Sequence, residues 1–112
     1  MSIRRHRNSA FLQQSGRCYY CHHLMWLSEP NEYASQHRMT IKEASRFRCT
    51  AEHLVARKDG GGDRGANIVA ACFFCNRRRH ARAKSLSPER YGALVSQRVL
   101  AGRWHGVRML SK

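Results

Sequence analysis

The sequence predicts a small α+β fold held by a metal staple. Three observations carry that expectation. The chain has 112 residues, 42% of them hydrophobic, which suits one domain with a thin core, and such domains commonly lean on a staple. Two Cys-x-x-Cys pairs, Cys18/Cys21 and Cys72/Cys75, frame its middle. Between them, two strand-like stretches flank a glycine loop, and a helix follows the second pair.

Taken in order, residues 9–15 read as a short helix, capped by Asn8 or Ser9 and stopped by Gly16. SEPNEYASQH has the look of a helix start, with Pro30 near the first turn and acidic residues around it. TIKE at 40–43 matches a capping box for another short helix. RCTAEHLVA reads as a strand, RKDGGGDRG as a loop, and ANIVAAC as a second strand leading into Cys72. Past Cys75, NRRRHARAK has helix propensity. A last helix opens at Ser87 and Pro88 and places Tyr91, Leu94, Val95 and Val99 on one stripe that should dock on the core. Gly102 stops it, and Trp104 is expected as a core aromatic.

Lysine and arginine number 21 against 7 acids, for a formal net charge of +14. That excess points to a polyanionic partner. No helix pairs a strong apolar face with a basic one, which argues against a membrane surface, and no apolar run approaches the ~20 residues of a membrane span. The opening MSIRRHRNSAFLQQ has charge but no apolar core, unlike a secretory signal. The expected compartment is intracellular and reducing, where cysteines ligate metal rather than pair.

The two knuckles supply the four soft ligands of a tetrahedral structural zinc: Cys18, Cys21, Cys72 and Cys75. This set is preferred over one that substitutes His22 or His23. The spacer from His22 to Ala71 is longer than the ~15–20 residues usual between knuckles, so it must hold structure of its own. The remaining thiol, Cys49, is expected as a small buried hydrophobe.

A second constellation lies inside the zinc-bounded segment. Asn76 and His80 stand four residues apart and share a helix face. With Glu52 they supply an amide oxygen, an imidazole and a carboxylate, a mix suited to Mg²⁺ or Mn²⁺. His53 then remains free as a general base near neutral pH. Each residue alone has a bland reading: a surface Glu-His dipeptide, a turn asparagine at 67, a solvated helix histidine. Their order and spacing together favour a site.

CTAEHLVARKDGGGDRGANIVAACFFCNRRRH strongly resembles the HNH endonuclease family. The CxxC pairs and CYYCHHLMW resemble its small, stand-alone, zinc-stapled bacterial and phage branch, and the match covers residues 18–80. The resemblance implies a ββα-metal motif with short flanking helices, in a single nuclease domain over residues 1–112 with a docking helix at about 88–101. It implies His53 as general base, Glu52 and Asn76 as ligands of the catalytic ion, and Asn67 as the asparagine that pins the loop and so holds the histidine. His80 falls where some members have a further ligand. The final histidine of the family name is Asn76 here, and the first-strand acid is a glutamate. The implied activity is one-metal hydrolysis of DNA, taken as double-stranded, in a bacterial or phage-infected cytoplasm. Arg77, Arg78, Arg79 and Arg82 are the candidate phosphate contacts. The alternative is a zinc-stapled nucleic-acid-binding module without catalysis, which needs the charge and the cysteines but not Glu52, His53, Asn67, Asn76 and His80 together.

Overall fold

The computed structural model describes residues 2–107. Helix α1 (Ile3–Gln13) begins earlier than expected, because Ser2 is its cap and accepts from the Arg5 backbone N–H at 3.2 Å. Asn8 and Ser9 therefore lie inside the helix, where Asn8 takes the Arg7 guanidinium on its Oδ1. Gly16, at φ 75°, turns the chain out of α1 and donates to the Phe11 carbonyl, a left-handed conformation that favours glycine.

Strand β1 (Cys49–His53) pairs antiparallel with β2 (Ile68–Cys72), so that Cys49 faces Cys72 and His53 faces Ile68. Helix α4 (Phe73–Ala81) follows β2 with no loop. It starts before Cys75 rather than after it, because Cys72 is its cap and takes the Cys75 N–H on sulfur. The second knuckle is thus the strand-to-helix corner itself. A two-stranded ribbon is marginal alone, and here it is covered by helices. On one face, the Asn76 amide of α4 donates to Thr50, and Arg79 and His80 reach Glu52. Helix α1 packs on both strands, and Gln14, just past its end, pairs with Ala70 through both ends of its amide as a third strand would.

Helices α2 (Pro30–His37) and α3 (Ile41–Ser45) fill the zinc-bounded spacer, and the Thr40–Glu43 capping box forms as read from the sequence. Helix α5 (Pro88–Leu100) is capped by Ser87 and buries Tyr91 and Val95, with Leu94 and Val99 packed at the core's edge. The Tyr91 hydroxyl donates to the Cys75 carbonyl at 2.6 Å, so α5 docks directly on the second knuckle. Trp104 packs beside it and donates its indole N–H to the Cys75 sulfur. Among the described residues, no helix is long and apolar enough to cross a membrane.

His105 is buried between Phe47 and Phe74, and its Nε2 has no hydrogen-bond partner among the described residues. Burial, helped by nearby His23, pushes its imidazole down to about 4. The fold therefore takes His105 neutral, while the unfolded chain would protonate it below about 6.5. The contribution to stability is complete above that value and is lost as pH falls from about 6.5 towards 4, with a slope of at most ~1.4 kcal/mol per pH unit. Urea titrations of the parent and His105→Phe at pH 7 and pH 5 check this. The gap between the proteins should move in favour of His105→Phe at the lower pH; an unchanged gap would contradict the burial.

Candidate active site

The four knuckle sulfurs all lie within 4.8 Å of one another and every one of these cysteines is buried. Cys21 and Cys72 sulfurs are 4.0 Å apart, close to the ~3.8 Å edge of a tetrahedron built on Zn–S bonds of ~2.3 Å. Burial pushes the Cys18 thiol up, but hydrogen bonds from Cys21, Cys72 and Cys75 outweigh it and hold Cys18 well below the ordinary range. Burial and donation to Cys18 raise Cys72 and Cys75. Backbone N–H groups of Tyr20 and Cys72 also point at the Cys18 sulfur. Four buried sulfurs gathered this closely are a donor set that fits a structural metal such as zinc. His22 is exposed and His23 bonds Tyr33 and the Leu24 carbonyl, so neither belongs to this cluster. Cys49 is buried apart from it, and burial pushes its thiol up to about 11.

Glu52 is fully buried. Its Oε2 accepts from the Tyr20 hydroxyl at 2.6 Å and from Arg79 Nη1 at 2.7 Å. Burial and the neighbouring Glu52 push the Tyr20 hydroxyl far up, so it stays a donor. Oε1 lies 2.8 Å from His80 Nε2. That separation suits two ligands sharing one ion, since neighbouring ligands of an octahedral ion at ~2.1 Å lie about 3 Å apart. Asn76 donates Nδ2 to the Ala51 carbonyl and the Thr50 hydroxyl. A carbonyl can only accept, so the amide orientation is fixed and Oδ1 is the atom available as a ligand. Glu52, His53, Asn76 and His80 line one cavity of about 280 Å³ with Ala56, Arg57 and Lys58.

His53 ends β1 beside the glycine loop. Its Nε2 lies 2.8 Å from Asp63 Oδ1, and Arg57 reaches both groups at 3.3 and 3.2 Å. The hydrogen bond from His53, backed by Arg57, holds the Asp63 carboxyl below the usual range. The loop is built to bring Asp63 there. Asn67 accepts from the Val55 N–H and donates to the carbonyls of Val55 and Gly62, the residue before Asp63. A Cβ on Gly61 would lie 1.7 Å from the Val55 carbonyl oxygen, so only glycine fits.

Residues 41–82 match the family model described as HNH endonuclease. This segment is an HNH endonuclease domain. It spans α3, the two strands, the loop between them and α4, and leaves α1, the first knuckle and α5 outside the match. No curated protein and no solved structure matches the chain. An HNH domain suggests nuclease activity on nucleic acid.

The HNH domain brings Glu52, His53, Asn76 and His80 to one cavity and sets Asn67 behind the loop. One expectation needs correction. Arg79 is no surface phosphate contact: it is 3% exposed and spends its guanidinium on Glu52 and on the carbonyls of His53, Leu54 and Leu86. His53, expected as the general base, has Asp63 and Arg57 against it. Arg77, Arg78 and Arg82 are exposed. Sequence reasoning missed Arg79's inward role, Tyr20 and Asp63. The signal for Arg79 was present: it stands three residues after Asn76 and one before His80, on the same helical side.

Two outcomes follow from this geometry. Structural zinc in small peptides is worth about 10–16 kcal/mol of folding energy, so Cys72→Ser should unfold or aggregate. A folded, zinc-free Cys72→Ser protein, seen by metal analysis and near-ultraviolet circular dichroism, would sink the four-cysteine assignment. Arg79→Ala should cost about 3–5 kcal/mol in urea unfolding, because it leaves Glu52 buried without its cation, whereas exposed Arg77→Ala should stay within ~0.5 kcal/mol. Equal effects at the two positions would contradict the buried pair.

Proposed function

We propose that the protein is a metal-dependent endonuclease that hydrolyses phosphodiester bonds of double-stranded DNA in the cytoplasm, as a single domain. The observation that carries this reading is the convergence of Glu52 Oε1, His80 Nε2, Asn76 and His53 on one cavity that also holds Arg57 and Lys58. Glu52, Asn76 and His80 are the residues to hold the catalytic ion. Glu52 would bind through Oε1 alone, since Tyr20 and Arg79 occupy Oε2. A Mg²⁺ or Mn²⁺ ion there supplies positive charge for the pentacovalent phosphorus and the departing 3′ oxygen. Zinc at the cysteines serves the fold only.

His53 takes a proton from the attacking water, whose oxygen bonds to phosphorus as the bond from phosphorus to the 3′ oxygen breaks. The 3′ oxygen leaves as an alcohol after taking a proton from solvent. The Asp63 carboxylate, 2.8 Å from His53 Nε2, stabilises the imidazolium formed. Arg57 and Lys58 on the cavity wall supply charge for the incoming phosphate.

Plasmid nicking with Mg²⁺, Mn²⁺ and chelator tests the reading. His53→Ala should keep zinc and DNA affinity and cleave more slowly by about 10²–10⁴. Asn76→Ala should lose cleavage through weaker ion binding and regain part of it at higher Mg²⁺ or Mn²⁺, a rescue that His53→Ala lacks. If His53→Ala cleaves as fast as the parent, with contaminating nuclease excluded, the noncatalytic binding module replaces this reading.

A further inference from the structure

A second cavity, of about 500 Å³, is lined by Arg48, Thr50, Phe73, Asn76, Arg77, His80 and Ala81. It shares Asn76 and His80 with the first cavity, so the two adjoin at that pair. Among the described residues no acid lines it. Its cations lie against one ring. The Arg48 guanidinium lies 5.1 Å from the centre of the Phe73 ring and that of Arg77 lies 5.8 Å from it, both within cation–π range. The Phe73 N–H donates to the Arg48 carbonyl at 2.8 Å, which ties the residue before β1 to the first residue of α4. One aromatic ring therefore contacts two exposed guanidinium groups, one from just before β1 and one from α4, on the wall of one groove. The adjoining cavity presents Arg57 and Lys58. Cations thus line both cavities that meet at Asn76 and His80.

We propose that Arg48 and Arg77, braced by Phe73, form a phosphate clamp. It holds the backbone of the DNA strand next to the point of cleavage, so that the strand runs from the Arg57 cavity across Asn76 and His80 into the Phe73 groove. The proposal rests on the nuclease reading for what lies at the centre of the track, but the clamp itself is a binding device. Charge decides the occupant. Arginine forks match phosphate oxygens, and a groove with two arginines and no acid, on a chain of net charge +14, repels other cations and favours a polyanion.

The test is fluorescence anisotropy of a labelled DNA duplex with the zinc-loaded full chain across a salt series, in a His53→Ala background so that bound DNA stays intact. Arg48→Ala should weaken binding about tenfold. It should also make the slope of log K against log salt less negative by about 0.9, the loss of one phosphate contact. Arg48→Lys should keep the slope. Phe73→Leu frees the arginines without removing charge, and should weaken binding by about 2- to 5-fold with the slope unchanged. Arg98→Ala, on α5 and outside both cavities, is the control and should have the smaller effect. Thermal unfolding and zinc content of each variant accompany the titrations. If Arg48→Ala binds with the parent's affinity and slope, or loses stability with no change of slope, Arg48 only packs on Phe73 and the clamp is overturned. An Arg48-dependent slope in a protein whose parent cuts no DNA would leave the clamp standing and remove the nuclease reading alone.

Discussion

The buried carboxylate of Glu52 is the constraint on which the rest of the arrangement depends. An isolated carboxylate in a dry interior is costly enough that the fold must surround it with donors. Two come from two places, Tyr20 from inside the first knuckle and Arg79 from α4, and His80 of α4 lies against the other oxygen. Tyr20 reaches Glu52 only because Cys18 and Cys21 turn the chain around it, and α4 starts where it does because Cys72 caps it. The sulfur cluster therefore acts on the candidate cavity through Glu52. Arg79 extends the link further, by holding the carbonyls of His53, Leu54 and Leu86 and so joining the end of β1 to the approach to α5.

The glycine loop is equally constrained, which its composition does not suggest. Gly61 passes so close to the Val55 carbonyl that no side chain fits, and Asn67 spans the loop with three hydrogen bonds. The product of this closure is a carboxylate, Asp63, set against the one histidine that ends β1. A loop held by a single amide side chain needs little apolar burial, which suits a short chain with a thin core.

Much of this was legible in sequence because the signals are local. Paired Cys-x-x-Cys spacing, the Thr40–Glu43 capping box, and Ser87 before Pro88 each specify a geometry within four residues, and each formed. The start of α1 was not legible, because Ser2, Asn8 and Ser9 are all competent caps and only the packing of the whole helix on the sheet selects among them. Arg79 was misplaced for a related reason. Its helical phase pointed inward with Asn76 and His80, but a buried arginine is credible only once a buried acid is known to meet it. The Asp63 contact with His53 depends on a loop conformation that RKDGGGDRG does not announce.

The division of α4 between two faces has an electrostatic consequence for the proposed reaction. Asn76, Arg79 and His80 face inward, while Arg77, Arg78 and Arg82 remain exposed. Among the described residues Glu52 is the one acid lining the candidate cavity, and Arg79 already lies against it. In the proposed reading a divalent ion there would be held by one carboxylate oxygen, one amide and one imidazole, with Arg57 and Lys58 nearby. That is a poor site for a dication by charge count alone, since Mg²⁺ sites ordinarily borrow oxygens from substrate phosphates. In the proposed reading DNA completes the site: a phosphate placed on the cationic walls supplies the negative charge that the protein withholds. Ion and substrate would then bind with mutual preference, and the excess of basic residues would serve the metal as well as the strand.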